Sequence, residues 1–358
     1  MTDNLEYITV NVGGAAYSGF LRVNVSYGAK KAVRAFGLTV TDNVYGNGTW
    51  QNDQWNFMPG TPVSITANGD LVLSGYVDSM EPSYDDKNYK VEIAGQSKSG
   101  DSVKAHVEHQ THEFINKTVL QIANELDQQG VGYSAGQNAK LEPLALFRSI
   151  PGESVFSSLD RASAMQHLLL IGQPDGTVKI EKGGNTRVHP AFIEGKNILG
   201  ASSKFDNGKQ GKTYKVKGQH PYGSDLKQSI QITGLSTDST QKRNIPKIIH
   251  SPTTLDSKKK ADDLAKHHRD RQFGESITAA VTVQGWHDDN GVIWTPNTLV
   301  FVYSPMLKLS MDLLIDNVSL TQDASGSFAK IGLVHPKALD SEAGSGSGAQ
   351  PQYNAPGD

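Results

Sequence analysis

The sequence predicts a mainly β fold with an α/β insert: two β-barrel-like domains related by an internal repeat, a small α/β domain and one helix-containing linker domain. Three observations lead there. Apolar and polar residues alternate through the first hundred residues and again after residue 196. Helical periodicity is confined to a few short stretches, and two distant segments read alike.

Ile8, Val10 and Val12 alternate with polar neighbours and stop at Gly13-Gly14, a pair suited to a hairpin turn. Val23-Asn24-Val25 and Leu38-Thr39-Val40 continue the period of two. Thr41 to Met58 is rich in turn formers and reads as a long loop. Val63-Ser64-Ile65, the turn Asn68-Gly69 and Leu71-Val72-Leu73 make a second hairpin, and Val91-Glu92-Ile93 closes the set. The expected first β-barrel domain is 1–100, completed by strands within 187–212.

The pattern changes near Asp101. Val119, Ile122, Ala123 and Leu126 fall on one helical face that ends at Gly130. A second helix starts from Ser154 as N-cap and runs through Phe156, Leu159 and Ala162 towards His167. Thr177 to Ile180 follows as a strand after Pro174-Asp175-Gly176. These place an α/β insert at 101–186. Strands return at Thr213–Val216 and Ser229–Ile232, and a helix is expected over 257–273, with Ala261, Leu264 and Ala265 as its apolar stripe and Gly274 as its stop. Ile277, Ala279, Val281 and Val283 then alternate with polar residues. The second barrel is expected at 213–340. Residues 341–358, rich in Gly, Ser and Pro, read as a flexible tail.

The repeat pairs the segment from Trp55 with the segment from Trp294. Each runs from tryptophan through proline and threonine into a β run, a loop and a second β run. In the later copy the apolar phase slips between Ile315 and Val318, which suggests a β-bulge at Asp316-Asn317. Leu299, Val300, Phe301, Val302 and Tyr303 are apolar on both faces of one strand, so one face is expected to meet another domain or subunit.

Composition narrows the function. The formal charge of −3, read as spread along the chain, offers no basic footprint for gripping nucleic acid. Without cysteine there is no disulfide scaffold, thiolate site or cysteine nucleophile. No run reaches the length of a membrane span, and MTDNLEYITV lacks the pattern of a signal peptide, so the chain is expected to act without being exported by itself.

Candidate chemistry is sparse. His287-Asp288-Asp289 sits in the link Trp286 to Trp294, where Asn290-Gly291 is a hairpin signal. It reads as a structural turn with exposed acids, and the two tryptophans as packing residues. His106, His109 and His112 fall three apart but lack the arrangement of a zinc hydrolase. Lys266-His267-His268-Arg269 reads as a solvated helix face. GESVFSS near Glu153 lacks the glycines of a nucleophile elbow, and NGKQGKT from Asn207 is too short for a phosphate loop. No catalytic residue, metal ligand or cofactor is expected.

The order of these features resembles the baseplate hub proteins of contractile phage tails, the Mu-type hub and the late-control tail protein D. The resemblance rests on ITVNVGGAAYSGFLRVNVSYGAKKAVRAFGLTV, KTVLQIANELDQQGVGYS, PGESVFSSLDRASAMQHLLLIGQPDGTVKI, NILGASSKFDNGKQGKTYKVKGQ and TVQGWHDDNGVIWTPNTLVFVYSP. It implies a structural virion protein rather than an enzyme: a homotrimer forming a pseudo-sixfold ring. Such a ring joins the sixfold tail tube protein to the threefold central spike protein beside other baseplate proteins, and lets DNA pass. Gln350, Pro351 and Tyr353 would then lie in a partner-docking tail. The alternatives are a tail-tip cell-wall hydrolase and the hub of a type VI-like or other contractile injection system.

Overall fold

The computed structural model describes residues 6–40, 57–86, 89–218, 232–251 and 257–340. It divides into two units: unit 1 is Met1–Ala201 with Ala280–Leu333, and unit 2 is Ser202–Ala279 with Val334–Asp358.

Unit 1 opens with β1 (Ile8–Val12) and β2 (Ala15–Tyr17), whose register pairs Val12 with Ala15. The two residues between them, Gly13 and Gly14, both have positive φ, the conformation this tight turn demands. β3 (Arg22–Gly28), β4 (Ala35–Val40), β5 (Pro62–Ala67), β6 (Asp70–Tyr84) and β7 (Tyr89–Ser97) follow. Their odd-even burial puts Val23, Val25, Phe36, Leu38, Val63, Ile65 and Ile93 into one core. The expected loop from Thr41 lies outside the described residues as far as Asn56; Phe57 is buried and Met58 exposed.

The insert contains α1 (Gly100–Lys104), β8 (Glu113–Lys117), α2 (Val119–Leu126), β9 (Tyr133–Ala135), β10 (Leu144–Arg148), α3 (Val155–Ala164), β11 (Leu169–Gly172) and β12 (Val178–Glu181). Thr118 and Gln121 form a capping box at the start of α2, and Ser154 Oγ accepts from the Ser157 amide at the start of α3. The apolar faces of both helices close over Phe114, Phe147, Leu170, Val178 and Ile180. β8 to β11 were not read from the sequence, because strands of three to five residues leave almost no periodic signal.

β13 (Phe192–Ile193) and β14 (Gly200–Phe205) lead to unit 2, built from β15 (Thr213–Gly218), β16 (Ile232–Thr237), β17 (Pro246–His250) and α4 (Lys258–Glu275). Ala261 and Ala265 of α4 pack on Tyr214 and Val216. The helix passes through its expected stop. Gly274 is buried there, and a Cβ on it would stand 2.2 Å from the Ala338 amide, so close approach explains this glycine. Of the strand expected at Ser229–Ile232, only Ile232 is among the described residues.

β18 (Ile277–Gln284), β19 (Leu299–Ser304), β20 (Leu309–Asp323) and β21 (Gly326–Val334) follow, then a 3-10 turn at Pro336–Leu339. One sheet runs β14-β18-β21-β20-β3-β4-β7-β6-β5-β1-β2, with β19 joined to β20 and to β13. Thus β13 and β14, expected to complete the first set, hydrogen-bond to β19 and β18. The segment 213–340 is likewise not one body: its first part, with α4, belongs to unit 2, and 280–333 belongs to unit 1. The phase slip in β20 falls where the strand exchanges partners. It pairs with β19 over Leu309–Leu314 and with β3 over Asn317–Gln322, each in unbroken register.

Charge is not spread evenly. Unit 2 holds 16 Lys/Arg against 11 Asp/Glu, a net +5. Unit 1 holds 18 against 26, a net −8. The near-neutral total conceals two opposed bodies.

Candidate functional site

The link between β18 and β19 forms a compact polar site in unit 1. His287 bridges to Ile293, and the Asp288 amide donates to the Val292 carbonyl at 2.9 Å, so a turn closes over Asp289 to Gly291 as the sequence implied. The acids of that turn differ from expectation. Asp288 is buried: its carboxylate accepts from the amides of Asn290 and Val292 at 2.8 and 2.9 Å and from His189 Nδ1 at 2.8 Å. A turn whose amides point inward needs an internal acceptor, and Asp288 supplies it. Asp289 is exposed.

His189 is fixed from both sides. Its Nε2 accepts from the Thr295 amide at 3.0 Å, which leaves Nδ1 to carry the proton donated to Asp288. The ring lies 4.7 Å from the Trp294 ring, which in turn lies 5.1 Å from Phe192. Burial pushes the His189 imidazole below its ordinary range, against the opposing pull of Asp288.

A second cluster adjoins the first. Glu6 accepts from the amides of Trp286 and His287 at 2.8 and 3.0 Å, and from His287 Nδ1 at 2.9 Å. His287 Nε2 faces Asp70 at 3.2 Å. Trp286 is fully buried and donates its indole N–H to the Thr321 carbonyl at 3.1 Å. Trp294 is also buried, but its indole nitrogen has no hydrogen-bond partner. Beside the clusters lies a cavity of about 220 Å³ lined by Lys196, Asn197, Leu199 and Asp289 among others.

Chemically this arrangement clamps. Both nitrogens of His189 are engaged, so it has no lone pair with which to take a proton from a substrate. Glu6, Asp70 and His189, which lie 280, 216 and 97 positions or more from the turn's neighbours in the chain, were missed in the sequence because no local spacing links them. The histidines at 106, 109 and 112 do not converge. His106 Nδ1 donates to the Gly152 carbonyl, His112 Nδ1 meets Ser149 Oγ, and His109 stacks on Phe114. Leu299, Val300, Phe301 and Val302 are all buried in the single chain, and Tyr303 is half-buried. That strand therefore keeps no bare apolar face for a neighbouring subunit. Gln350, Pro351 and Tyr353 lie outside the described residues.

The family description "Mu phage baseplate assembly protein GpP-like, N-terminal" matches residues 7–97, and "Mu phage baseplate assembly protein GpP, fourth domain" matches 257–342. The baseplate hub protein gp44 of Escherichia phage Mu is 24% identical over 340 residues, 91% of this chain and 87% of that protein. The chain resembles the Mu-type baseplate hub proteins along nearly its whole length. The 43 kDa tail protein of prophage MuSo2 from Shewanella oneidensis is 25% identical at a TM-score of 0.83, covering 94% of this chain and 100% of that one. A tail protein from Neisseria meningitidis MC58 shares the fold, with a TM-score of 0.77 at 16% identity over 93% and 99% of the two chains. Hubs of this family are structural components of the phage tail baseplate. Within this hub, the N-terminal match takes in β1 to β7, and the later match runs from α4 through the 3-10 turn.

Proposed function

We propose that the hub assembles as a homotrimer, a ring of pseudo-sixfold symmetry that joins the sixfold tail tube to the threefold central spike. The observation that carries this reading is a matched strand series. β5, β6 and β7 have 6, 15 and 9 residues, and β19, β20 and β21 again have 6, 15 and 9. In each series the long middle strand pairs with both of its neighbours, and the two series meet in one sheet through β20 and β3. On this reading they are two barrel-like copies of one design. Three chains then offer six similar surfaces on a threefold body, which is the geometry a symmetry adaptor needs.

The polar clamp supports the same role. Asp70 opens β6 of the first series, Glu6 lies just before β1, and Trp286 and His287 lie in the link that leads into the second series, so the clamp ties the two strand sets together. The hub carries load rather than catalyses, and DNA passes through its ring without sequence-specific contact. The segment with Gln350, Pro351 and Tyr353 docks on the spike or on a neighbouring baseplate protein. Light scattering on the purified chain should give three times its mass of 38.6 kDa, and particle images should show a threefold ring. The purified ring should bind the tail tube and spike proteins of the same virion. A monomer that binds neither would overturn the reading.

A further inference from the structure

Two lysines of the basic unit 2, Lys215 and Lys217, lie on a sheet face of their own. β15, β16 and β17 turn Tyr214 and Val216 towards α4. Among the described residues, the opposite face carries no covering element. Register sets its middle row as Leu235, Lys215 and Ile248, and the next row as Thr233, Lys217 and His250. Leu235 and Ile248 are 53% and 61% exposed, and both lysines are exposed. Among the described residues neither lysine makes an ion pair. Lys215 thus stands on the central strand between two exposed apolar side chains, with Lys217 in the next row.

Unit 1 carries a surface of the opposite kind. Among the described residues, β6 pairs with β5 as far as Tyr76, the next residue Val77 still exchanges backbone hydrogen bonds with Gly60 and Thr61, and β7 pairs with β4 no further out than Val91. Beyond those points β6 and β7 continue as a two-stranded ribbon, pairing Ser83 with Lys90 and Tyr84 with Tyr89. Such a ribbon is only marginally stable in water by itself. Its end presents Glu81, Asp85 and Asp86, all exposed, around Tyr84, which is 80% exposed.

We propose that the acidic β6–β7 arm of one copy docks on the basic outer sheet face of unit 2 in a second copy. This rests on the self-assembly proposed above and names the surfaces that meet. The arm's three carboxylates face Lys215 and Lys217, and Tyr84 packs its ring beside Lys215 against the flanking apolar side chains of Leu235 and Ile248. Because the two surfaces differ, the contact is heterologous, the type that closes rings. A nucleic acid fits the face less well: among the described residues its two rows hold two lysines and one histidine, with no Phe, Tyr or Trp on which successive bases could stack.

The test is a charge swap read by light scattering across a dilution series. Lys215→Glu with Lys217→Glu should weaken assembly roughly tenfold or more, and added salt should weaken the wild-type assembly in the same direction. Placing Glu81→Lys, Asp85→Lys and Asp86→Lys in the same chain should restore assembly, which a misfolded protein could not do. Leu235→Ser with Ile248→Ser should also lower the mass, without altering circular dichroism. A charge-reversed chain that stays as large as wild type overturns the docking but leaves the trimer standing. A wild-type chain that is monomeric at every concentration removes both. If instead the reversal abolishes binding to a short DNA duplex with the mass unchanged, the face is a nucleic-acid surface and the proposal is wrong.

Discussion

Asp288 accepts a 2.8 Å hydrogen bond from His189, and both side chains are wholly buried. The pair joins a turn to a segment 99 residues earlier. Asp288→Asn keeps the volume but puts an amide N–H₂ where an acceptor is needed, and should cost about 1–3 kcal/mol. Asp289→Asn, on the exposed side of the same turn, should change stability by less than about 0.5 kcal/mol. Urea denaturation of the two single variants measures both. Equal costs would mean that the buried acceptor contributes nothing.

The two tryptophans of this link should respond differently to the loss of the indole nitrogen. Trp286 donates to the Thr321 carbonyl, whereas the Trp294 nitrogen is buried without a partner. Trp286→Phe therefore removes a hydrogen bond as well as volume, while Trp294→Phe also removes an unsatisfied donor. Trp286→Phe should be the more damaging by about 1 kcal/mol, and alanine at either site should cost roughly 3–5 kcal/mol. Thermal unfolding monitored by fluorescence of the remaining tryptophans would show the order. The reverse order would argue that ring packing alone decides.

Period-two alternation placed β1, β3 to β5, β7 and β18 in the sequence, since one buried face imposes the pattern residue by residue, whereas β19 was read from an unbroken apolar run. Ser154 as N-cap did the same for α3, and the apolar faces from Val119 and Ala261 did so for α2 and α4. Partner choice was not legible. β13 and β14 carry no mark that sends them to β19 and β18, and the β6 to β7 ribbon is visible only once β4 and β5 are seen to stop short. Asp288 was misread because a carboxylate in an Asn-Gly turn is normally solvated. The amides of Asn290 and Val292 together with His189, distant in sequence, make its burial tolerable. The charge imbalance was in the letters, but it needed the unit boundary to become a statement about a surface.

Acid should destabilise unit 2 through His335. Burial first, then the nearby Lys337 charge, pushes its imidazole down to about 4 from 6.5. The unfolded chain therefore binds a proton that the folded chain refuses, so stability present above pH 6.5 is lost as pH falls towards 4. The whole window is worth roughly 3 kcal/mol at most. His189 shifts in the same direction. His335→Asn keeps an acceptor for the Lys337 amide, now held by His335 Nδ1 at 3.2 Å, and removes the titration. Its denaturation midpoint should vary less with pH between 4 and 6.5 than that of wild type, and an unchanged slope would assign the effect elsewhere.

The strand Leu299 to Tyr303 offers a sharper trial of what buries it. β19 is hydrogen-bonded on one edge to β20 and on the other to β13, where Phe192 is in register with Val302. Val300 and Phe301 point to opposite faces of this strand, yet both are buried in the single chain. A subunit interface on either face would leave one of the two replaceable by aspartate in a folded protein of lower mass. Burial within the chain predicts otherwise: Val300→Asp and Phe301→Asp should each remove folded protein, because an unpaired carboxylate forced into either face costs several kcal/mol, roughly the margin of a domain. Tyr303→Ser, on the half-buried end of the strand, should remain folded. Circular dichroism and light scattering on the three variants decide the matter. A Phe301→Asp chain that is folded but smaller than wild type would return this strand to the intersubunit surface.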